Sequence, residues 1–90
     1  MGLYSAVDLH GDNGYYAVTD ENDRRVFGKR LPNDLALILK TLSPYRDELV
    51  HGIAVESTFN WYWLVDGLMD HDYKVQLVNP TRVKEYDGLK

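Results

Sequence analysis

Ninety residues, 44% hydrophobic and 27% charged, suffice for a single domain over residues 1–90 and leave too little chain for a second core. The chain has no cysteine and no apolar run near the roughly 18 residues of a membrane span. This excludes a disulfide framework, a thiolate zinc site, a cysteine nucleophile and a transmembrane helix, and fits a cytoplasmic setting. Ten Lys and Arg against 14 Asp and Glu give a net charge of -4, which argues against a general nucleic-acid coat but leaves room for an enzyme that meets phosphates through a bound cation.

The opening Met-Gly-Leu-Tyr-Ser-Ala carries neither a signal-peptide nor a myristoylation pattern, and a strand follows at once. Leu3 to His10 is apolar at both parities (Leu3, Tyr4, Ala6, Val7, Leu9), the pattern of a strand buried on both faces. Gly11-Asp12-Asn13-Gly14 signals a turn into a second strand, Tyr15 to Thr19. Asp20-Glu21-Asn22-Asp23 turns the chain again, and Arg24 to Leu31 completes an antiparallel meander. Pro32-Asn33-Asp34 opens a helix with Leu35, Ile38, Leu39 and Leu42 on one stripe, and Pro44 stops it. Val50 to Glu56 is a fourth strand. Ser57-Thr58 caps a second helix running to about Asp72, with Trp61, Leu64, Val65, Leu68 and Met69 as its apolar face. Tyr73 to Val78 is a fifth strand, and Asn79-Pro80 starts a third helix. The order β-β-β-α-β-α-β-α predicts an α/β fold with a five-stranded mixed sheet and covering helices, the ribonuclease H-like order.

Asp8, in Ala-Val-Asp-Leu-His, and Glu56, ending Gly-Ile-Ala-Val-Glu, each follow a buried apolar run. In a ribonuclease H-like sheet the first and fourth strands are parallel neighbours, which would set the two carboxylates side by side. Such a pair repels unless a hard cation lies between, the arrangement of a Mg²⁺ or Mn²⁺ site for phosphoryl transfer. The residues alone allow a second reading, in which Asp8 merely ends a strand and Glu56 supports the next helix through its dipole.

A longer set of residues resembles a known family. Ala6-Val7-Asp8-Leu9-His10, Lys29-Arg30-Leu31-Pro32-Asn33, Val55-Glu56-Ser57-Thr58-Phe59-Asn60-Trp61-Tyr62-Trp63, and Val78-Asn79-Pro80 with Val83-Lys84 resemble the start of the DEDD-type insertion-sequence transposases, the "one-ten" family. Its N-terminal domain is RuvC-like. The resemblance implies that Asp8 and Glu56 are the first two carboxylates of a four-carboxylate Mg²⁺ (or Mn²⁺) site for DNA cleavage and strand transfer. It also implies DNA as partner, with a guide RNA possible for the full-length protein. The family's last two Asp fall beyond Gly88-Leu89-Lys90, and Glu85 and Asp87 do not replace them, so the ninety residues are expected to bind metal weakly and to be inactive alone.

Phe59 and Trp63 fall opposite the predicted apolar stripe, which suggests either nucleic-acid contact alongside Thr58 and Asn60 or, better, packing against protein, be it a C-terminal helix of the full-length enzyme or a second copy of the chain, and self-association is expected. Arg82 and Lys84 are further candidates for DNA contact. Arg24, Arg25, Lys29 and Arg30 crowd one strand, as a phosphate-facing edge or simply a charged edge that resists aggregation. His10, His51 and His71 have no zinc-site spacing; His10 could share a face with Asp8. Two other classes remain. An actin-like or sugar-kinase-like ATP-binding fragment shares the element order but wants hydroxyl residues where Leu9-His10-Gly11-Asp12 stands. A non-enzymatic assembly module would use none of the acids.

Overall fold

The computed structural model describes residues 2–57 and 60–78. Strands β1 (Leu3–Leu9), β2 (Asn13–Asp20) and β3 (Arg25–Pro32) form the antiparallel meander. Helix α1 (Leu35–Leu42), a 3₁₀ turn over Ser43–Glu48, β4 (Ile53–Glu56), α2 (Tyr62–Asp70) and β5 (Val75–Val78) follow. The sheet order is β3-β2-β1-β4-β5, with β1 parallel to β4 and β4 parallel to β5. The connections from β3 to β4 and from β4 to β5 both step the same way along the sheet. Right-handed crossovers therefore put both helices on one face. There Ile38 and Leu42 of α1 and Leu64 and Leu68 of α2 are fully buried against Val7, Val18, Ile53 and Val55. Among the described residues no helix is long and apolar enough to cross a membrane.

One-sided coverage corrects the expectation for β1. Leu3, Ser5, Val7 and Leu9 are buried, while Tyr4, Ala6 and Asp8 are exposed, so the described residues cover the central strand on one face. Among the described residues nothing packs on the second face. Across it, in register, lie Ala17 and Gly28 on one side of Ala6 and Ala54 and Gln76 on the other.

Helix α1 begins as its sequence dictates: the Asp34 side chain accepts a hydrogen bond from the Leu37 amide at 3.2 Å. Pro44 does not end the helical path. It occupies the first turn of the 3₁₀ segment, where a missing N–H costs nothing.

The second helix departs furthest from expectation. Asn60 has φ 48°, in the left-handed region, which breaks any helix continuing from Ser57-Thr58. Helix α2 starts at Tyr62, with Trp61 as its N-cap and no side-chain cap. Its buried arc is also rotated. Gly67 faces α1, where a Cβ would lie 2.5 Å from Leu35 Cδ2, and this close approach turns α2 toward Trp63. Trp63 is consequently half-buried against the core, whereas Met69, expected inside, is 56% exposed. The expected exposed position of Trp63 opposite the apolar face is thereby corrected, and Phe59 lies outside the described residues. The helix ends at Asp70 with His71 as its C-cap, and Asp72 beyond it, with φ 67°, lets its amide reach Met69 O while the Tyr73 amide reaches Leu68 O. That is a Schellman closure made with Asp in place of Gly, sealed by buried Tyr73 on Leu68. The remaining strand boundaries differ by one to three residues; β4 starts at Ile53 because Val50, His51 and Gly52 form the preceding turn. The third helix expected from Asn79 lies outside the described residues.

Tyr16 is fully buried, and its hydroxyl has no hydrogen-bond partner among the described residues. Burial pushes its phenol well above the usual 10, and burial raises Tyr73 as well. Because the folded state favours the neutral phenols, their contribution is complete below pH 10 and is lost as the pH rises beyond it. Tyr16→Phe removes an unsatisfied polar group and should stabilise the protein by about 1 kcal/mol at pH 7 and flatten the alkaline loss. Urea unfolding of both forms at pH 7 and above pH 10 checks this; a Phe variant less stable at both would contradict it.

Candidate functional site

Asp8 occupies the last exposed position of β1, one residue before the strand ends. Its Cα pairs with Glu56 on β4 and with Tyr15 on β2. Neighbouring strands lie about 4.8 Å apart, so the two carboxylates stand next to each other on the open face, at the carboxyl ends of two parallel strands. Both residues are exposed. From this point the chain leaves β1 toward β2 and leaves β4 toward α2, so strand order reverses between β1 and β4. Crevices at such reversals are where open α/β sheets bind ligands.

The hairpin beyond Asp8 is tied down from the far side of the sheet. The His10 amide donates to Asn13 O at 2.8 Å. Asn33, after β3, donates its Nδ2 to both His10 O and Gly11 O at 3.1 Å, and its amide reaches Asp12 O at 3.3 Å. In the sequence Asn33 stands at a helix start and at the end of one segment of the family resemblance. Its role here depends on a loop more than twenty residues away, and no local pattern reports that. The His10 ring lies beside the acid, with Nε2 3.4 Å from Asp8 Oδ2, on the same face as expected.

The other candidates scatter. Asn60 is exposed in the connection between β4 and α2, and Trp63 belongs to the core periphery. Thr58, Phe59, Arg82, Lys84, Glu85 and Asp87 lie outside the described residues. His51 pairs with Glu21 at 2.9 Å away from the acids, and this contact holds the Glu21 carboxyl below its usual range. His71 Nδ1 lies 2.9 Å from Gly67 O at the end of α2. Among the described residues no three His, Cys, Asp or Glu side chains group as a metal cluster, so Asp8 and Glu56 stand as a pair. A hard cation such as Mg²⁺ or Mn²⁺ takes six oxygens, and two carboxylates are oxygen donors of the right chemistry for part of that shell.

Comparison with known proteins bears on the fold. No family model and no curated protein matches the chain. Among solved structures, T. thermophilus RuvC in complex with a Holliday junction substrate superposes with a TM-score of 0.71 at 14% identity, over 94% of this chain and 69% of that one. The likeness carries the ribonuclease H-like fold, in agreement with the strand order.

Like charges facing each other across neighbouring strands destabilise a sheet. In a chelating buffer at low salt, Glu56→Gln should therefore raise stability by about 0.2–1 kcal/mol, an increment that salt diminishes. Urea midpoints at two ionic strengths measure it. A variant less stable than the parent at low salt would mean the carboxylates do not face each other.

Proposed function

We propose that residues 1–90 form the N-terminal part of the catalytic domain of a DEDD-type insertion-sequence transposase, in which Asp8 and Glu56 hold a divalent cation for phosphoryl transfer on DNA. The observation that supports this most directly is the in-register placement of the two acids on the open face, at the strand ends where β1 and β4 part. The motif resemblance around Asp8 and Glu56 supports it independently, as does the fold shared with T. thermophilus RuvC, a structure in complex with a Holliday junction substrate.

The fit to Mg²⁺ or Mn²⁺ is that of half a site. Asp8 and Glu56 would hold the ion from the sheet side, leaving its outer positions for water, phosphate oxygens or further carboxylates. A bound divalent ion supplies Lewis acidity to a phosphoryl oxygen and lowers the pKa of an attacking water. The chain's own contribution is positional. A parallel pair of strands fixes the spacing of the acids, and the Asn33 bonds hold the adjoining hairpin still.

An ATP-binding reading is less well supported. The loop after β1 would have to offer donors to phosphates, yet Asp12 presents a carboxylate there, accepting from Asn13 Nδ2 at 2.6 Å.

Titration with Mn²⁺, followed by NMR line broadening, tests the proposal. Broadening should centre on the carboxyl ends of β1 and β4 with a Kd of about 10⁻³ M, and Asp8→Asn or Glu56→Gln should each weaken it at least tenfold. Broadening centred elsewhere, for example around Asp66 and Asp70 of α2, or unchanged in both variants, would refute it.

A further inference from the structure

The row of residues that contains the acidic pair continues across the sheet. On the open face Glu56 lies opposite Asp8, Asp8 opposite Tyr15, and Tyr15 opposite Arg30 on the edge strand β3. With about 4.8 Å per strand, Arg30 stands roughly 10 Å from Asp8. Two features bring a second arginine to the same place. The register slips between Val18 and Thr19, leaving Val26 as an extra, exposed residue and setting Arg25 opposite Thr19. Without that bulge Arg25 would share the parity of Phe27, which packs on the core; with it, Arg25 turns to the open face. Between the arginines sits Gly28, which is exposed and where a Cβ would meet Tyr15 Oη at 2.5 Å. The absence of a side chain allows Tyr15 to lie flat across β3.

The cluster is ordered by its own contacts. The Arg25 guanidinium lies 5.7 Å from the Tyr15 ring centre and donates to Tyr15 Oη at 3.2 Å. Arg30 donates to Asn13 Oδ1 at 2.6 Å. Ion pairs among the described residues join His10 to Asp8, Arg46 to Asp72 and His51 to Glu21, and neither Arg25 nor Arg30 takes part in one. In a chain of net charge -4, two exposed arginines thus share a sheet face with the acidic pair and have no ion-pair partner among the described residues. Their planar forks suit phosphate oxygens.

We propose that Arg25 and Arg30, set around Tyr15, seat the phosphodiester backbone of a DNA strand that runs over β2 toward Asp8 and Glu56. This rests on the reading of the acids as a phosphoryl-transfer site, and it adds the direction of approach: from the β3 edge, across Tyr15. Cations two strands away neutralise the neighbouring backbone without neutralising the carboxylates themselves. A strand lying over the acids would otherwise be repelled by them.

The full ninety-residue chain can be tested with a fluorescently labelled single-stranded 20-mer in EDTA, so that metal binding plays no part. Arg25→Ala with Arg30→Ala should weaken binding at least tenfold and flatten the log–log salt dependence by about 0.7 per arginine. Arg25→Lys with Arg30→Lys should retain that slope. Gly28→Val, which displaces Tyr15 but keeps both charges, should weaken binding at least threefold, while Lys40→Ala on α1 should leave it unchanged. Asp8→Asn and Glu56→Gln should bind as well as or better than the parent, which separates failure of this seat from failure of the metal site. The proposal is overturned if the parent does not bind DNA, if the double alanine variant binds within twofold with unchanged slope while still folded by circular dichroism, or if poly-glutamate binds the same arginines more tightly than DNA does.

Discussion

The parallel pairing of β1 with β4 is the constraint on which the site depends. Ser5, Ala6, Val7 and Asp8 match Ile53, Ala54, Val55 and Glu56 one for one. Since side chains alternate faces with period two, a slip of one residue would send Glu56 into the core and Val55 to the open face. Burial of Val7 and Val55 on one side and approach of the two carboxylates on the other are therefore a single fact. The hydrophobic free energy of the core sets the geometry of the acids.

Several local contacts fix this register. The Ser5 amide donates to Gly52 O at 3.0 Å, the His51 amide to Leu3 O at 3.2 Å, and the Ile53 amide to Lys74 O at 2.8 Å, so β1, β4 and β5 are tied at their starts. Gly52 makes the entry possible: its φ is 87°, and a Cβ there would lie 3.0 Å from Lys74 O. Buried Ser5 spends its hydroxyl on Ala17 O at 2.8 Å, so a polar residue in the core faces no unmet demand. Both ends of the pairing serve the site. The start determines alignment, and the Asn33 bonds hold the hairpin that follows Asp8.

Much of this was legible in the sequence because it is carried by local patterns. Polar turn clusters delimit the meander, the 3.6 period and Asp34 define α1, and apolar runs ending in Asp8 and Glu56 mark the two acids. What was not legible depends on partners distant in sequence. The face of α2 turns on the meeting of Gly67 with Leu35, its start on the left-handed Asn60, and its end on Asp72 doing what glycine usually does. Arg24, Arg25, Lys29 and Arg30 read as one charged strand; only the bulge at Val18/Thr19 sorts Arg25 and Arg30 onto one face of β3, leaving Lys29 at the other parity. A tyrosine beside a strand turn gives no sign that a glycine thirteen residues on will let it lie flat.

The open face brings these elements together: an acidic pair at the centre, a tyrosine beside it, and two arginines at the edge. On it, we propose, Asp8 and Glu56 share one cation. Anomalous scattering from Mn²⁺-soaked crystals tests this most directly. The account predicts one peak between β1 and β4, within about 2.1 Å of a carboxylate oxygen from each residue. A peak coordinated by other acids, with Asp8 and Glu56 bare at millimolar Mn²⁺, would contradict it.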